Sequence, residues 1–414
     1  MKIAIIGTGI SGMVAAHLLH EDHDIVIYEA EDYVGGHTHT IEVQRAGATY
    51  AVDTGFIVFN ERNYPNFVKL LKRLDVPWQP SGMSFSFRDE RTGLEYRPSS
   101  LSTLFVQRRN LRRPSFLRMV AEIFRFRRSA RKLLRTGDDD LTLGVYLRSR
   151  RFSEVFIHQF IIPMGAAIWS ADPAQFEEFP ARYFARFFHN HGFLNIRNQP
   201  QWLVIRGGSR QYVKKLIRPF RDRIRLGSPV VSIRRRNSRV ELTAKDQDLE
   251  YFDYAIIAAH ADQALAMLSD PSDAERNILG AFPYQENRTV LHTDVSFLPS
   301  RRSAWASWNY LVPKVRGDRV VVTYDMNILQ TIRAPVEFCV SLNPHRLIEP
   351  GRVLRRMTYH HPVYTTKGLP AQQRRDEING ANRTYFCGAY WGYGFHEDGV
   401  KSALSVCRHF GKTL

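Results

Sequence analysis

The first thirty residues constrain this chain more than any others. Lys2-Ile3-Ala4-Ile5-Ile6 is a short apolar run rich in Ile, and it stops at Gly7-Thr8-Gly9-Ile10-Ser11-Gly12. Met13–His20 reads as a helix with an apolar face, and Asp24–Tyr28 as a second strand that ends at Glu29. Strand, GxGxxG, helix, strand and acid in this order predict a βαβ unit that receives a dinucleotide. Gly7 permits the tight turn, Gly9 lets a pyrophosphate approach the backbone, and Gly12 lets the helix pack close to the sheet. The helix start, with Ser11 in its first turn, presents free N–H groups to the phosphates. Glu29, 17 residues after Gly12 and followed by Ala30, is placed to accept from ribose hydroxyls and disfavours the extra phosphate of NADP.

A second glycine pair separates the candidate dinucleotides. Gly35-Gly36-His37 follows the ribose acid, and Val52-Asp53-Thr54-Gly55-Phe56 comes soon after. Glycines here let a further stretch of backbone approach a flat or anionic ligand. An NAD site has no need of this, whereas an extended FAD does.

With these residues the chain resembles the superfamily of flavin-containing amine oxidases and phytoene desaturases, although His37 stands where that fingerprint usually has Arg. Gly207-Gly208-Ser209 looks like its second helix entry, and Arg225–Ile233 like the strand whose Val230 and Val231 backbone meets the adenine. Asp253–Ala259, with Ala258, looks like the strand that returns to the sheet. At the C-terminus Tyr385-Phe386-Cys387-Gly388 and Gly399-Val400-Lys401-Ser402 resemble the strand and final helix that cover the flavin, with the helix start near the ring carbonyl. The resemblance implies an α/β, two-domain, Rossmann-type fold like that of glutathione reductase, with a mixed α+β substrate domain and non-covalently bound FAD. It divides the chain into FAD-binding segments 1–60, 200–270 and 375–414 and substrate-domain segments 61–199 and 271–374. Thr289–Asp294 and Arg319–Asp325 read as strands of the latter by their β-branched alternation.

Relatives that oxidise amines commonly carry a Lys on a substrate-domain strand, and the strand most like it here, Thr289–Val295, has none. His292 and Asp294 would share a face of that strand and could handle a proton; a surface His and a turn-capping Asp are the plainer alternative. His37 and His396 are the other proton-handling candidates, and Phe395 stands where the family places an aromatic wall over the flavin. His37 and His39 could mimic a metal pair, but the resemblance puts them beside the cofactor, so no metal is expected. The whole string also looks like a bacterial subgroup resembling the desaturase that oxidises methyl-branched phospholipid acyl chains on the route to furan fatty acids. Oxidation of a lipid or other apolar molecule is thus the leading expectation, with an unassigned electron acceptor: oxygen, a quinone or a partner protein. Oxidation of an amine or amino acid is a second reading, and a non-catalytic lipid-binding carrier of the same fold a third.

Charge enters through one segment. Residues 105–135 hold eleven Arg and Lys against one acid, Glu122, in a chain of net charge +17. Phe116, Met119, Val120, Ile123, Phe124, Leu133 and Leu134 follow roughly helical spacing. A basic amphipathic helix of this kind can lie in a membrane interface, so an anionic membrane surface is the expected partner of Arg108–Arg135. A solvated helix packed on the substrate domain is the plainer alternative. No nucleic-acid-binding motif accompanies the charge. Cys339, Cys387 and Cys407 form no pair typical of a disulfide scaffold or zinc site. With no signal peptide and no spanning segment visible, the expectation is a cytoplasmic protein at the inner face of the membrane.

Overall fold

The computed structural model describes residues 1–136, 141–195, 198–315, 317 and 319–414. The site is framed by β1 (Lys2–Ile6), α1 (Ile10–Leu19), β2 (Asp24–Tyr28), α2 (Pro114–Thr136), β3 (Tyr284–His292), β4 (Val353–Pro362) and α3 (His396–Arg408). The apolar run of β1 is continuous because both faces of the strand are covered. Ile3 and Ile5 pack with Val14, Ala15 and Val400, while Ala4 and Ile6 pack with Ile233 and Leu242 on the other side. A half-exposed strand would have alternated with polar residues.

β1 lies in a five-stranded sheet whose spatial order is Ile224–Arg225, β2, β1, Tyr254–Ile257, Thr384–Phe386, with every pair parallel. From β1 the chain passes through α1 to β2 on one side, and a distant segment fills the other. That puts a topological switch point at the end of β1, where open α/β sheets receive ligands. The second sheet has seven strands in the order β4, β3, Cys339–Leu342, Val321–Asp325, Trp308–Val312, Phe85–Asp89, Leu94–Tyr96. It is mixed, since Trp308–Val312 runs parallel to Phe85–Asp89 and the other pairs are antiparallel.

Several elements differ from their expected bounds. β3 starts at Tyr284 and ends at His292, so Asp294 is no longer on the strand and instead caps the turn at Val295–Phe297. The final helix starts at His396 rather than at Gly399. Asp398 reaches back and its Oδ2 accepts from the backbone N–H groups of Tyr393 (3.0 Å) and Phe395 (3.1 Å), which closes a turn ahead of Gly399.

The basic segment is not one helix with a free apolar side. A short turn at Leu101–Leu104 and a 3-10 turn at Arg108–Arg112 precede α2, which begins at Pro114. Phe116, Met119, Phe126, Ala130 and Leu133 are buried against Phe156, Phe184 and Phe188, so most of the apolar stripe belongs to the protein core. Leu117 and Phe124 protrude, at 42% and 54% exposure. Glu122, the segment's acid, faces inward and accepts from Arg118, Arg125 and Ser153. No helix among the described residues is long and apolar enough to cross a membrane.

Candidate active site

The site begins where α1 begins. Gly9 is its N-cap, no side chain caps it, and no acid lies in its first turn, so the amides of Ile10, Ser11 and Gly12 are left for an outside acceptor. A Cβ built on Gly9 would have no heavy atom within 4 Å, whereas one on Gly12 would stand 2.0 Å from the carbonyl oxygen of Gly7. Gly9 therefore opens a cradle, and Gly12 serves the contact between helix and loop. Ala258, just past its strand, closes the same corner: its N–H donates to the Ile6 carbonyl at 2.7 Å.

Glu29 is buried at the tip of β2. Its Oε2 accepts from the Thr8 backbone (2.9 Å) and the Thr8 hydroxyl, and its Oε1 from the Glu31 N–H (3.0 Å). One acceptor direction on Oε1 is left for a ribose hydroxyl. Ala30 is exposed beside it. The 227–231 segment runs along this end, with Gly227 N–H donating to Glu31 (2.9 Å) and Ser228 N–H to Glu29 (2.8 Å); Val230 is buried and Val231 exposed.

Gly35 donates its N–H to the Thr8 hydroxyl (3.2 Å), and Gly36, at φ +55°, brings a Cβ position to 3.0 Å from the Cα of Gly9. His37 is thereby delivered beside the cradle. Gly55 packs so closely on His37 that a Cβ there would lie 2.1 Å from the His37 carbonyl oxygen. The start of α3 arrives from the other side: a Cβ on Gly399 would come within 3.0 Å of the Ser11 hydroxyl oxygen. Gly388, which donates to the Ser402 hydroxyl at 2.9 Å, holds the preceding loop. Because α3 starts early, the outward amides are those of His396 and Glu397. Val400 lies within the helix, past its first turn, and is fully buried. Two helix starts thus converge at the edge of the parallel sheet.

From this corner a cavity of about 730 Å³ runs into the second sheet and its helices. Its deep end holds His37, Thr54, Tyr359, His361, Phe395 and His396. His37 and His361 meet edge to face at 5.0 Å, and Tyr359 meets His37 at 4.7 Å. The Tyr359 hydroxyl hydrogen-bonds the Thr54 hydroxyl (2.7 Å) and His39 Nδ1 (3.0 Å). The Nε2 of His396 is engaged by the Thr38 and Tyr212 hydroxyls, and its ring stacks on Phe56 at 3.4 Å. Phe395 forms a wall with Phe187 and Trp169.

Burial decides the charge here. It pushes His37 down to about 4 and His361 and His396 well below the usual histidine range, so all three are neutral near pH 7. The tautomer of His361 follows from its neighbours. Asn287 Oδ1 accepts from Asn343 (2.7 Å), and its Nδ2 donates to the Ser170 carbonyl (3.1 Å) and to His361 Nδ1 (2.8 Å). His361 therefore carries its proton on Nε2.

His361 was absent from the sequence candidates. Tyr359 and His361 alternate on one face of β4, and that pattern was its only signal. The His292–Asp294 pair is the opposite case. His292 is fully buried, lies outside the cavity lining, and shares its Nε2 with the Ser341 hydroxyl (2.8 Å). Its Nδ1 accepts from the backbone N–H of Asp294 (3.0 Å), while the Asp294 carboxylate accepts from Ser296. The strand ends between the two residues, so they form no His–carboxylate pair. Among the described residues no three His, Cys, Asp or Glu side chains form a metal-binding group.

Residues 10–305 match the family described as flavin containing amine oxidoreductase. A Mycobacterium tuberculosis protein named as a flavin-containing monoamine oxidase, AofH, is 24% identical over 294 residues, or 66% of this chain. The chain spans 59% of the length of that relative. Among solved structures, cyclohexylamine oxidase from Brevibacterium oxydans superposes with a TM-score of 0.70 at 17% identity, covering 99% of both chains. A fatty acid isomerase from P. acnes that produces CLA superposes at 0.69 with 16% identity, covering 99% of this chain and 98% of the other.

Proposed function

The chain belongs to the flavin containing amine oxidoreductase family and is an FAD-dependent oxidoreductase, and from that premise we propose that its substrate is an apolar chain, a phospholipid acyl chain with a methyl branch, from which it removes a hydride. One observation carries the proposal. Among the described residues lining the cavity there is no Asp, no Glu and no Lys; the walls are Met83, Phe85, Ile123, Phe160, Met164, Ile168 and further aromatics. A protonated amine would have to leave water with no carboxylate to meet it, at a cost of several kcal/mol. A hydrocarbon loses nothing there and gains about 0.8 kcal/mol per buried CH₂.

The uncapped start of α1, the open face of Gly9 and the buried Glu29 fit the pyrophosphate and ribose of FAD. When bound, FAD supplies the hydride acceptor at its ring N5. This chain's residues do the rest. The Phe395, Phe187 and Trp169 wall orients the chain and keeps water out. His361, neutral and proton-bearing at Nε2, and His37 opposite it are the groups placed to hold or pass a proton.

The rim of the cavity supports a peripheral position on an anionic lipid surface. Ser99, Phe124 and Gln199 line the cavity and are exposed. On the same basic stretch of chain Leu101 and Leu117 are exposed, at 76% and 42%, and Arg108, Arg112 and Arg113 make no ion pair among the described residues. Such arginines add about 1 kcal/mol each at an anionic leaflet.

The test is anaerobic mixing of the FAD-loaded protein with vesicles of a phospholipid bearing methyl-branched acyl chains, read by bleaching of the flavin absorbance. Bleaching by the branched lipid and none by cyclohexylamine or putrescine is the expected result. Bleaching by an amine and by no lipid of any acyl length overturns the reading in favour of amine oxidation, which the AofH similarity favours.

A further inference from the structure

Among the described residues the same cavity carries one permanent charge. Val120, Ile123, Phe124 and Arg127 recur at helical spacing along α2, and all four line the cavity. Arg127 is the single Arg, Lys, Asp or Glu among the described lining residues. It is half-buried, and its guanidinium carbon lies 5.4 Å from the ring centroid of Phe124, the exposed residue at the rim. Among the described residues no carboxylate pairs with it. Glu122, the acid of this helix, is already engaged by Arg118, Arg125 and Ser153. The next cation along the stripe, Arg131, donates to the Leu194 carbonyl (2.6 Å) and to Asn195 Oδ1 (2.9 Å), which fixes a second positive charge beside the same opening. Burial and the neighbouring Arg131 both work against the charge on Arg127. An arginine half-buried beside another cation, with no carboxylate partner among the described residues, is placed to receive an anion.

We propose that Arg127 binds the anionic head of an amphiphilic substrate whose hydrocarbon chain fills the cavity toward His37 and His361. This deepens the acyl-chain reading and rests on it. It assigns the substrate a polarity: head at the rim, chain inward. Register follows from that polarity, because an anchored head fixes how many carbons reach the deep end. The shared chemistry is a single negative charge on an apolar chain, carried either by a free fatty carboxylate or by a lipid phosphodiester.

The test uses the full-length FAD-loaded protein and two eighteen-carbon probes, oleate and oleyl alcohol, below their aggregation limits. Trp169, Trp202 and Trp308 line the cavity, so quenching of tryptophan fluorescence reports occupancy without turnover. The wild type should bind oleate more tightly than the alcohol. R127Q should weaken oleate about tenfold or more, the scale of a charge-assisted hydrogen bond, and leave the alcohol unchanged, with R127K restoring part of the difference. Raising the salt should shrink the wild-type preference. A one-chain phosphatidylglycerol with an oleoyl tail separates the sources: tighter binding than oleate, lost in R127Q, identifies a phosphodiester head, and weaker binding a carboxylate. If both probes bind and R127Q treats them alike, the anchor is overturned and the apolar-chain reading stands. If neither binds the wild type, both fall.

Discussion

Gly9 and Gly12 sit three residues apart, one at the cap and one in the first turn of α1, yet adding a methyl group to each should have opposite consequences. At Gly9 the backbone has φ −62° and ψ 174°, which alanine adopts freely, and its Cβ would have no neighbour within 4 Å. G9A should therefore change the stability of the cofactor-free protein by less than about 0.5 kcal/mol. The same methyl would fill the cradle in front of the α1 amides. Losing two charge-assisted hydrogen bonds at about 1.5–3 kcal/mol each weakens FAD binding by roughly a hundredfold to ten-thousandfold. At Gly12 the added Cβ would lie 2.0 Å from the Gly7 oxygen and 3.1 Å from the Ala258 Cβ, so loop and helix must part whether or not FAD is present. G12A should cost the cofactor-free protein about 3 kcal/mol, the upper range for overpacking. The assay is urea unfolding of both cofactor-free variants together with FAD titration followed by flavin fluorescence. A G9A protein that binds FAD like the wild type would refute the placement of the pyrophosphate. A G12A protein of wild-type stability would refute the packing argument.

Other expectations concern the frame. Burial pushes His292 down to about 4, from an ordinary 6.5. Its folded pKa lies below its unfolded value, so its neutral form contributes stability that is complete above pH 6.5 and lost as pH falls toward 4, up to about 3 kcal/mol. Urea unfolding across that range should show a pH slope shallower in H292N than in the wild type, and equal slopes would refute the burial argument. Arg235 is buried between Asp270 (2.7 Å) and Glu275 (2.7 Å), so R235M should leave the buried Glu275 without its counter-ion and cost about 3–5 kcal/mol. R235M/E275Q should recover part of that loss in thermal unfolding, and no recovery would place the cost in packing rather than charge.

Legibility followed contact distance along the chain. The loop from Ile6 to Gly12, the acid at Glu29 and the pair at Gly35-Gly36 could be read because each answers to neighbours within about one βαβ unit, whose geometry is fixed locally. The start of α3 was misplaced at Gly399 although its cause is local: Asp398 binds back to Tyr393 and Phe395, a cap hidden because a glycine outshone an acid. His292 and Asp294 stayed open between a proton pair and a turn cap, because alternation along a strand says which residues share a face, not which face meets a cavity or where the strand ends. His361 was missed for the converse reason: a His in an unremarkable strand gains its chemistry only from Asn287 on the neighbouring strand and His37 on a distant loop.

By itself the sequence determined the dinucleotide half of this protein, because short-range backbone geometry and an unbroken apolar run leave a chain little else to become. Only the tertiary structure decided what the cavity is made of. His37, Arg127, His361 and His396 come from four well-separated stretches of chain and line one cavity. α2 makes the same point: its apolar stripe was plain in the residues, but whether it faced lipid or core depended on Phe156, Phe184 and Phe188 arriving to cover it. A hydrophobic face specifies that it must be buried, and the rest of the fold chooses against what.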